Sequence, residues 1–203
     1  MTGYYTGVTN ASRERLASAP FRFGYGSPAL DLAVTLRRRA SERIDLLPAP
    51  RDAARWLVAA GLLPDEPRLS ETDLDSLRGL REAIYCIGRA AVNGEAPAPS
   101  DVRTLNAAAR SAEVAPQLTE EWSIRTPRSH AFEAALTAIA RDAIALFGDE
   151  SRRSRLNTCE QDDCRGLFLD RSRGERRRWC SMSRCGNRAK AATFRQRKKG
   201  ESR

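Results

Sequence analysis

Apolar residues recur at spacings of three and four along Leu74, Leu77, Leu80, Ile84, Ile87 and Ala91, the stripe of a helix that buries one face. Just ahead of it, Ser70-x-x-Asp73 has the form of a capping box. Leu69 and Leu74 can close a hydrophobic staple, and Gly94 offers the stop. The same kind of reading predicts four more helices before residue 149. One starts with Ser27 as N-cap and Pro28 at its first position, and gives Leu30, Val34 and Leu36 an apolar side. A short one over 52–60 turns Trp56 and Leu57 inward and ends at Gly61. A third is capped by Ser100 and runs through Val102, Leu105 and Ala109. The last is capped by Ser129, aligns Phe132, Leu136, Ile139, Ala143, Leu146 and Phe147, and stops at Gly148. Residues 44–47 read as a short strand or loop. Residues 113–126, with Val114, Leu118, Trp122 and Ile124 among polar neighbours, read as a small hairpin.

Beyond Gly148 the pattern changes, and there is no long Gly/Pro linker, so the second part is expected to dock close to the last helix. Leu167-Phe168-Leu169 is a short strand, 170–174 a turn, and 176–180 a return strand with Trp179 near its end. After Gly186, residues 188–199 permit a helix with Asn187 as N-cap. The expected class is α+β, mainly α. A polar, flexible leader spans 1–20, a helical domain with a small β element spans 21–148, and a small module with a basic C-terminal helix spans 149–203.

Charge divides at the same boundary. Residues 151–203 hold 17 Lys and Arg against 6 Asp and Glu, a net of +11, whereas residues 1–150 hold 18 against 20, a net of −2. Excess charge gathered at one end points to an anionic partner, nucleic acid first among them. A lipid surface would want an apolar helix face, and Phe194 stands nearly alone. No apolar run reaches 18 residues and no charged-then-apolar leader opens the chain, so a soluble, cytoplasmic protein without a membrane partner is expected. Arg37-Arg38-Arg39 reads as a solvated helix end, Cys86 as a core cysteine, and His130, the only histidine, as an exposed residue at a helix start.

The basic module also carries the chemistry. Cys159 and Cys164 form one pair, Cys180 and Cys185 another, with the same internal gap. Paired thiolates on two tight turns supply the four sulfurs of a tetrahedral zinc site. An iron–sulfur cluster could use the same donors, and two disulfides could form in an oxidising compartment. A module of this size needs such a staple. Knuckle, hairpin, knuckle, helix describes a treble-clef-like finger. Phe168 and Trp179 would plug the metal's apolar side, and Arg165, Arg178 and Arg184 would offset a local charge of about −2.

The run Cys164-Arg165-Gly166-Leu167-Phe168-Leu169-Asp170-Arg171, then Arg178-Trp179-Cys180-Ser181-Met182, then Cys185-Gly186-Asn187-Arg188, resembles the CGNR zinc finger, named for the residues at 185–188. In that family the finger follows an ABATE domain, a stress-induced transcription regulator. Phe21-x-Phe23-x-x-Gly26 and Leu30-Asp31-Leu32-Ala33-Val34-Thr35 resemble the opening of that domain, with Leu32 where an aromatic residue and Val34 where an asparagine is usual. The resemblance implies one structural zinc ion, a bacterial DNA-binding regulator, and an N-terminal domain that senses an unknown small-molecule effector, with a homodimer among the assembly states.

Arg188, Arg195 and Lys199 form one cationic stripe on the predicted helix, with Arg184 one turn before. Lys190, Arg197 and Lys198 add positive charge, while Ala189 and Ala192 fall on another side and could face the finger. Arginine suits phosphates and guanine edges through its planar fork. No catalytic residues are expected, because four thiolates fill the tetrahedron and leave no position for water. The alternatives are an RNA- or ribosome-associated zinc protein and a treble-clef nuclease. Residues 149–203 lack the histidines that a His-metal nuclease needs.

Overall fold

Ser27 accepts a hydrogen bond from the Leu30 N–H and Pro28 presets the first turn, so helix α1 (Pro28–Ala33) begins where the caps predict. In this computed structural model, which describes residues 21–110, 117–125 and 130–201, every residue of α1 after the proline is buried. The leader expected over 1–20 lies outside the described residues. Strand β1 (Leu36–Arg37) pairs antiparallel with β2 (Ile44–Asp45). Helices α2 (Pro50–Ala59), α3 (Glu71–Asn93) and α4 (Pro99–Ala109) follow. Strands β3 (Gln117–Leu118) and β4 (Ile124–Arg125) then form the expected small hairpin, and α5 (Ala131–Gly148) closes the series.

The local signals of α3 hold in detail. Ser70 accepts from the Asp73 N–H, the Asp73 carboxylate accepts from the Ser70 N–H, and Gly94 takes the left-handed conformation at φ 72°. Elsewhere proline displaces the expected cap. Helix α4 starts on Pro99 with Ala98 as N-cap, so Ser100 sits in the first turn. His130 is the N-cap residue of α5 and is exposed as expected, while the proposed cap Ser129 lies outside the described residues.

One core gathers Leu32 and Ala33 of α1, Trp56 and Leu57 of α2, the Leu74–Ile87 face of α3, Leu105 of α4 and Ile139 of α5. A second core takes Leu30 and Val34 from the opposite side of the first helical turns, with Tyr25 and Leu146, and packs them on Leu156, Leu167, Phe168 and Leu169. Helix α1 is thus sandwiched between two cores, and the C-terminal module is built onto α1, α3 and α5 together. Close backbone approach makes this docking tight. The Leu169 N–H donates to the Tyr25 carbonyl at 2.8 Å, the Tyr85 hydroxyl to the Arg165 carbonyl at 3.1 Å, and Arg89 to Thr158 at 2.8 Å.

Two expectations fail for tertiary reasons. Arg37-Arg38-Arg39 is not a solvated helix end: α1 stops at Ala33, Arg37 ends strand β1, and Arg38 and Arg39 follow it in the turn. Arg39 lies 3.8 Å over the Tyr85 ring and bonds both carboxylate oxygens of Glu82, and Arg38 reaches Asp163 at 3.2 Å. Glu82 in turn accepts from Arg81, whose buried guanidinium grips Asp45 at 2.7 and 3.0 Å. Burial works against the charged forms of Asp45 and Glu82, but their arginine partners hold both carboxyls below the ordinary range. Cys86 is exposed rather than buried, because its neighbours Ile84 and Ile87 occupy the inward face of α3.

Asp31 fixes the loop that presents Tyr25 to the second core. Its buried carboxylate accepts the Tyr25 N–H at 2.8 Å. Burial raises its pKa from 3.8 to about 7, with Asp142 adding and the backbone donors of Tyr25 and Gly24 opposing. The native state therefore favours the protonated acid. Stability from this group is full below pH 3.8 and is lost as pH rises through about 7. Asp31→Asn, which keeps an acceptor without the charge, is expected to match the parent at about pH 3.5 and to exceed it by on the order of 2–4 kcal/mol at about pH 8.5. Denaturant titrations at the two pH values check this, and parallel behaviour of the two proteins would refute it.

Candidate metal centre

Helix α6 (Glu150–Arg153), capped by Asp149, leads into strand β5 (Leu156–Thr158), which pairs antiparallel with β6 (Leu167–Leu169). The first cysteine pair closes this hairpin: Cys159 follows β5 and Cys164 precedes the Gly166 turn into β6. The Cys159 N–H donates to the Gly166 carbonyl at 2.9 Å, and the Cys164 N–H to Gln161 at 2.9 Å. The partner of Leu167–Leu169 is therefore the segment before the knuckle, not the 176–180 return strand expected from the sequence. Residues 176–180 run extended beside the knuckle instead, where the Glu160 N–H donates to the Arg178 carbonyl at 3.0 Å. Asp170 holds the turn between them by accepting from the Ser172 and Arg177 N–H groups, each at 2.8 Å.

The second pair sits on a helical turn of wide pitch. A π-helical turn (Met182–Gly186) carries Cys185 and runs directly into α7 (Asn187–Glu201). Asn187 is consequently inside continuous helix, with its amide donating to the Ser183 carbonyl at 3.1 Å, and is not the N-cap. At Gly186 a Cβ would lie 2.5 Å from the Met182 sulfur and 3.4 Å from Trp179, so a larger residue there would have to displace the exposed Met182 side chain.

These elements bring the four sulfurs of Cys159, Cys164, Cys180 and Cys185 within 4.8 Å of one another. Cys180 lies 3.7 Å from Cys164 and 3.6 Å from Cys185. A sulfur tetrahedron with Zn–S bonds of about 2.3 Å has edges of about 3.8 Å, whereas a disulfide needs about 2.05 Å. All five cysteines are free. Protons are unevenly shared in the cluster. Hydrogen bonding with Cys164 lowers Cys159 to about 7, and contacts with Cys159 and then the other two thiols pull Cys185 down, with Arg188 helping. Cys164 is pushed up by Cys159 and Cys185 against an opposing contact with Cys180, and Cys180 is pushed up by all three other thiols. Four thiols this close compete for ionisation, and a divalent cation at their centre removes the competition.

Arg177 was hidden in its arginine run. It lies under the site, 4.8 Å over the Phe168 ring, and donates to the carbonyls of Trp179 at 2.9 Å and of Cys180. The signal that could have found it is strand alternation, since Arg176 and Arg178 are exposed on either side. Phe168 is fully buried and Trp179 half-buried, as a plug requires. Of the arginines expected to offset the thiolates, Arg178 pairs with Glu160 at 2.6 Å and Arg165 turns its carbonyl to Tyr85.

The sequence places Arg188 in the cationic stripe that would face a nucleic acid. Instead its fork closes on Asp163 at 2.8 and 3.1 Å, and the same group approaches the Cys185 sulfur at 3.6 Å. Asp163 also holds Arg38, so one carboxylate ties the N-terminal part to the finger helix. Ala189 and Ala192 are half-buried and face the first knuckle across a groove that also meets Glu160 and Trp179. Lys190, Arg195 and Lys198 are exposed, and Lys198 lies 5.7 Å over the Phe194 ring. The side chains of Arg197 and Lys199 lie outside the described residues. Arg184 is exposed at the mouth of a cleft on the other side of the helix. Among the described residues, no helix is long and apolar enough to cross a membrane.

Comparison with known families agrees with this architecture. A family model described as "Putative stress-induced transcription regulator", ABATE, matches residues 26–150. A second, the CGNR zinc finger, matches residues 155–198 and so spans all four cysteines. Among curated proteins, none matches this chain.

Proposed function

The chain belongs to the ABATE family of transcription regulators and carries a CGNR zinc finger, and from that premise we propose that it is a non-enzymatic DNA-binding regulator whose N-terminal domain senses a small molecule. The observation that carries the DNA half is the charge division, +11 over residues 151–203 against −2 before it, together with a basic helix that starts at the metal site. The zinc-bound knuckle fixes the direction of α7, and a single helix fits a major groove. After Arg188, which Asp163 holds, Lys190 and Arg195 are its exposed cations nearest the knuckle, and Arg197, Lys198 and Lys199 follow them along the chain. These contacts supply counterion release along the phosphate backbone. Arg188 has a different task. Its bonds to Asp163 and Cys185 make it a support of the metal centre, so Arg188→Ala should weaken zinc retention along with binding.

Titration of labelled duplexes with the zinc-loaded chain at several salt concentrations tests this reading. DNA affinity is expected to fall steeply with salt, and Lys190→Ala or Arg195→Ala should each reduce the slope of log K against log salt by about 0.9. RNA of equal length serves as the competitor, and tighter RNA binding would replace DNA as the target. Salt-independent binding, or binding that survives deletion of residues 190–203, would remove α7 as the contact element.

A further inference from the structure

On the other side of α7 lies a cleft of about 470 Å3 between the N-terminal domain and the finger. Arg22, Arg37 and Arg38 line it from one side, Arg184 and Arg188 from the other. Asp163 occupies two of the five, at 3.2 Å from Arg38 and 2.8 Å from Arg188. Among the described residues, the side chains of Arg22, Arg37 and Arg184 make no ion pair or hydrogen bond with protein. Their crowding shows on Arg37, whose guanidinium is pushed below its ordinary value by burial first, then by Arg22, with Arg184 adding. The cysteine site next to the cleft does not balance the account. Five guanidinium groups face one carboxylate and a zinc tetrathiolate of about −2, which leaves about +2 in a partly desolvated space. Val34, Leu36 and Ala191 give the wall an apolar part, beside Tyr25, Ser183, Asn187 and the metal-site cysteines Cys164 and Cys185.

We propose that this cleft is the effector site, and that its ligand is a small organic anion with a carboxylate or phosphate head among Arg22, Arg37 and Arg184 and an apolar body on Val34, Leu36 and Ala191. The proposal rests on the sensing half of the regulator reading and gives it a place and a chemistry. The volume suits a small molecule. A duplex backbone, presented on a convex rod, does not fill such a concavity. The cations come from both parts of the chain, so an anion here links β1 to the π-helical turn that begins the finger helix. Ligand binding would then change how firmly α7 is held, which is the coupling that a sensor needs.

The test uses the zinc-loaded full chain, with octanoate, octyl phosphate and inorganic phosphate as probes below any micelle-forming concentration and chloride at matched ionic strength as the baseline. One or both octyl probes are expected to raise the thermal midpoint progressively with concentration, and calorimetric titration to give saturable binding. The stronger of the two identifies the head group, and inorganic phosphate, lacking the apolar body, should bind more weakly. Arg37→Gln should weaken probe binding by about tenfold or more, while zinc content and duplex affinity stay unchanged. Arg22→Gln serves as the second variant should the first fold poorly. The proposal is overturned if no probe exceeds chloride, if both variants bind the probes as the parent does, or if duplex DNA displaces the probe and Arg37→Gln lowers duplex affinity equally, which would make the cleft a phosphodiester contact. The DNA reading fails on the duplex titration and this one on the anion titration, so the two failures are distinct.

Discussion

Cys180→Ser is expected to abolish zinc binding and to unfold the chain from β5 to the start of α7. Cys180 lies 3.7 Å from Cys164 and 3.6 Å from Cys185, so its loss removes one of the four corners of the sulfur tetrahedron. In small zinc modules the metal supplies roughly 10–16 kcal/mol of apparent folding free energy, more than a module of this size gains from its own core. The sequence alone suggests that the N-terminal domain would be unaffected. The shared core predicts otherwise. Tyr25, Leu30, Val34 and Leu146 lose Leu156, Leu167 and Phe168 as neighbours, and each large apolar side chain left exposed costs about 1.5–3 kcal/mol. Cys180→Ser should therefore also lower the stability of residues 21–148 by several kcal/mol on that scale. Metal analysis and amide hydrogen exchange read both effects. One zinc per chain retained in the variant, or a red-brown iron chromophore in the parent, would sink the zinc assignment. Unchanged exchange in α1 would sink the shared-core argument.

Gly26→Ala is expected to undock the finger while leaving the four thiols intact. Gly26 has φ +118°, a backbone region that L side chains avoid, and a Cβ there would lie 2.4 Å from the Leu169 Cβ and 3.4 Å from its backbone. The strained conformation costs about 1–3 kcal/mol and the overlap a further ~1–3 kcal/mol, and one methyl group incurs both. Relief would come from breaking the Leu169-to-Tyr25 hydrogen bond, the backbone join between the two parts. The variant should bind zinc one to one, unfold at a markedly lower denaturant midpoint, and exchange the Leu169 amide faster. A midpoint within about 0.5 kcal/mol of the parent, the usual range for surface changes, would show that the contact is soft. Gly88 makes a second close approach, with the Leu167 side chain at 2.5 Å from its would-be Cβ, but a flexible methyl can move there and the effect should be smaller.

Features legible in the sequence are those whose causes are local. The Ser70–Asp73 capping box, the left-handed Gly94, the Ser27-Pro28 start and the inward face of α3 all stand as the spacing requires, because each is decided by atoms within a turn of one another. The four metal ligands were equally legible, since a tight turn can present two thiolates at a gap of four residues and their chemistry leaves few other uses. The charge division was a matter of counting.

Features that tertiary structure alone decided are those set by chains meeting across long separations. Periodicity placed Cys86 on a helix but could not say which flank the finger and the other helices would leave open. The arginine run at 37–39 looked solvated because its partners, Tyr85, Glu82 and Asp163, lie far along the chain. Arg188 kept the helical position predicted for it and lost the freedom, since the first knuckle brings Asp163 against its fork. The strand at Leu167–Leu169 was found, yet its partner was not, because short apolar runs pair on either side and only the fit on α1 and α3 selects β5. Sequence thus determined the elements, the metal ligands and the sign of the charge. Packing of the finger onto α1 and α3 decided which cations are spent within the molecule and which remain for a partner, because desolvation and pairing depend on what the fold brings within a few ångströms.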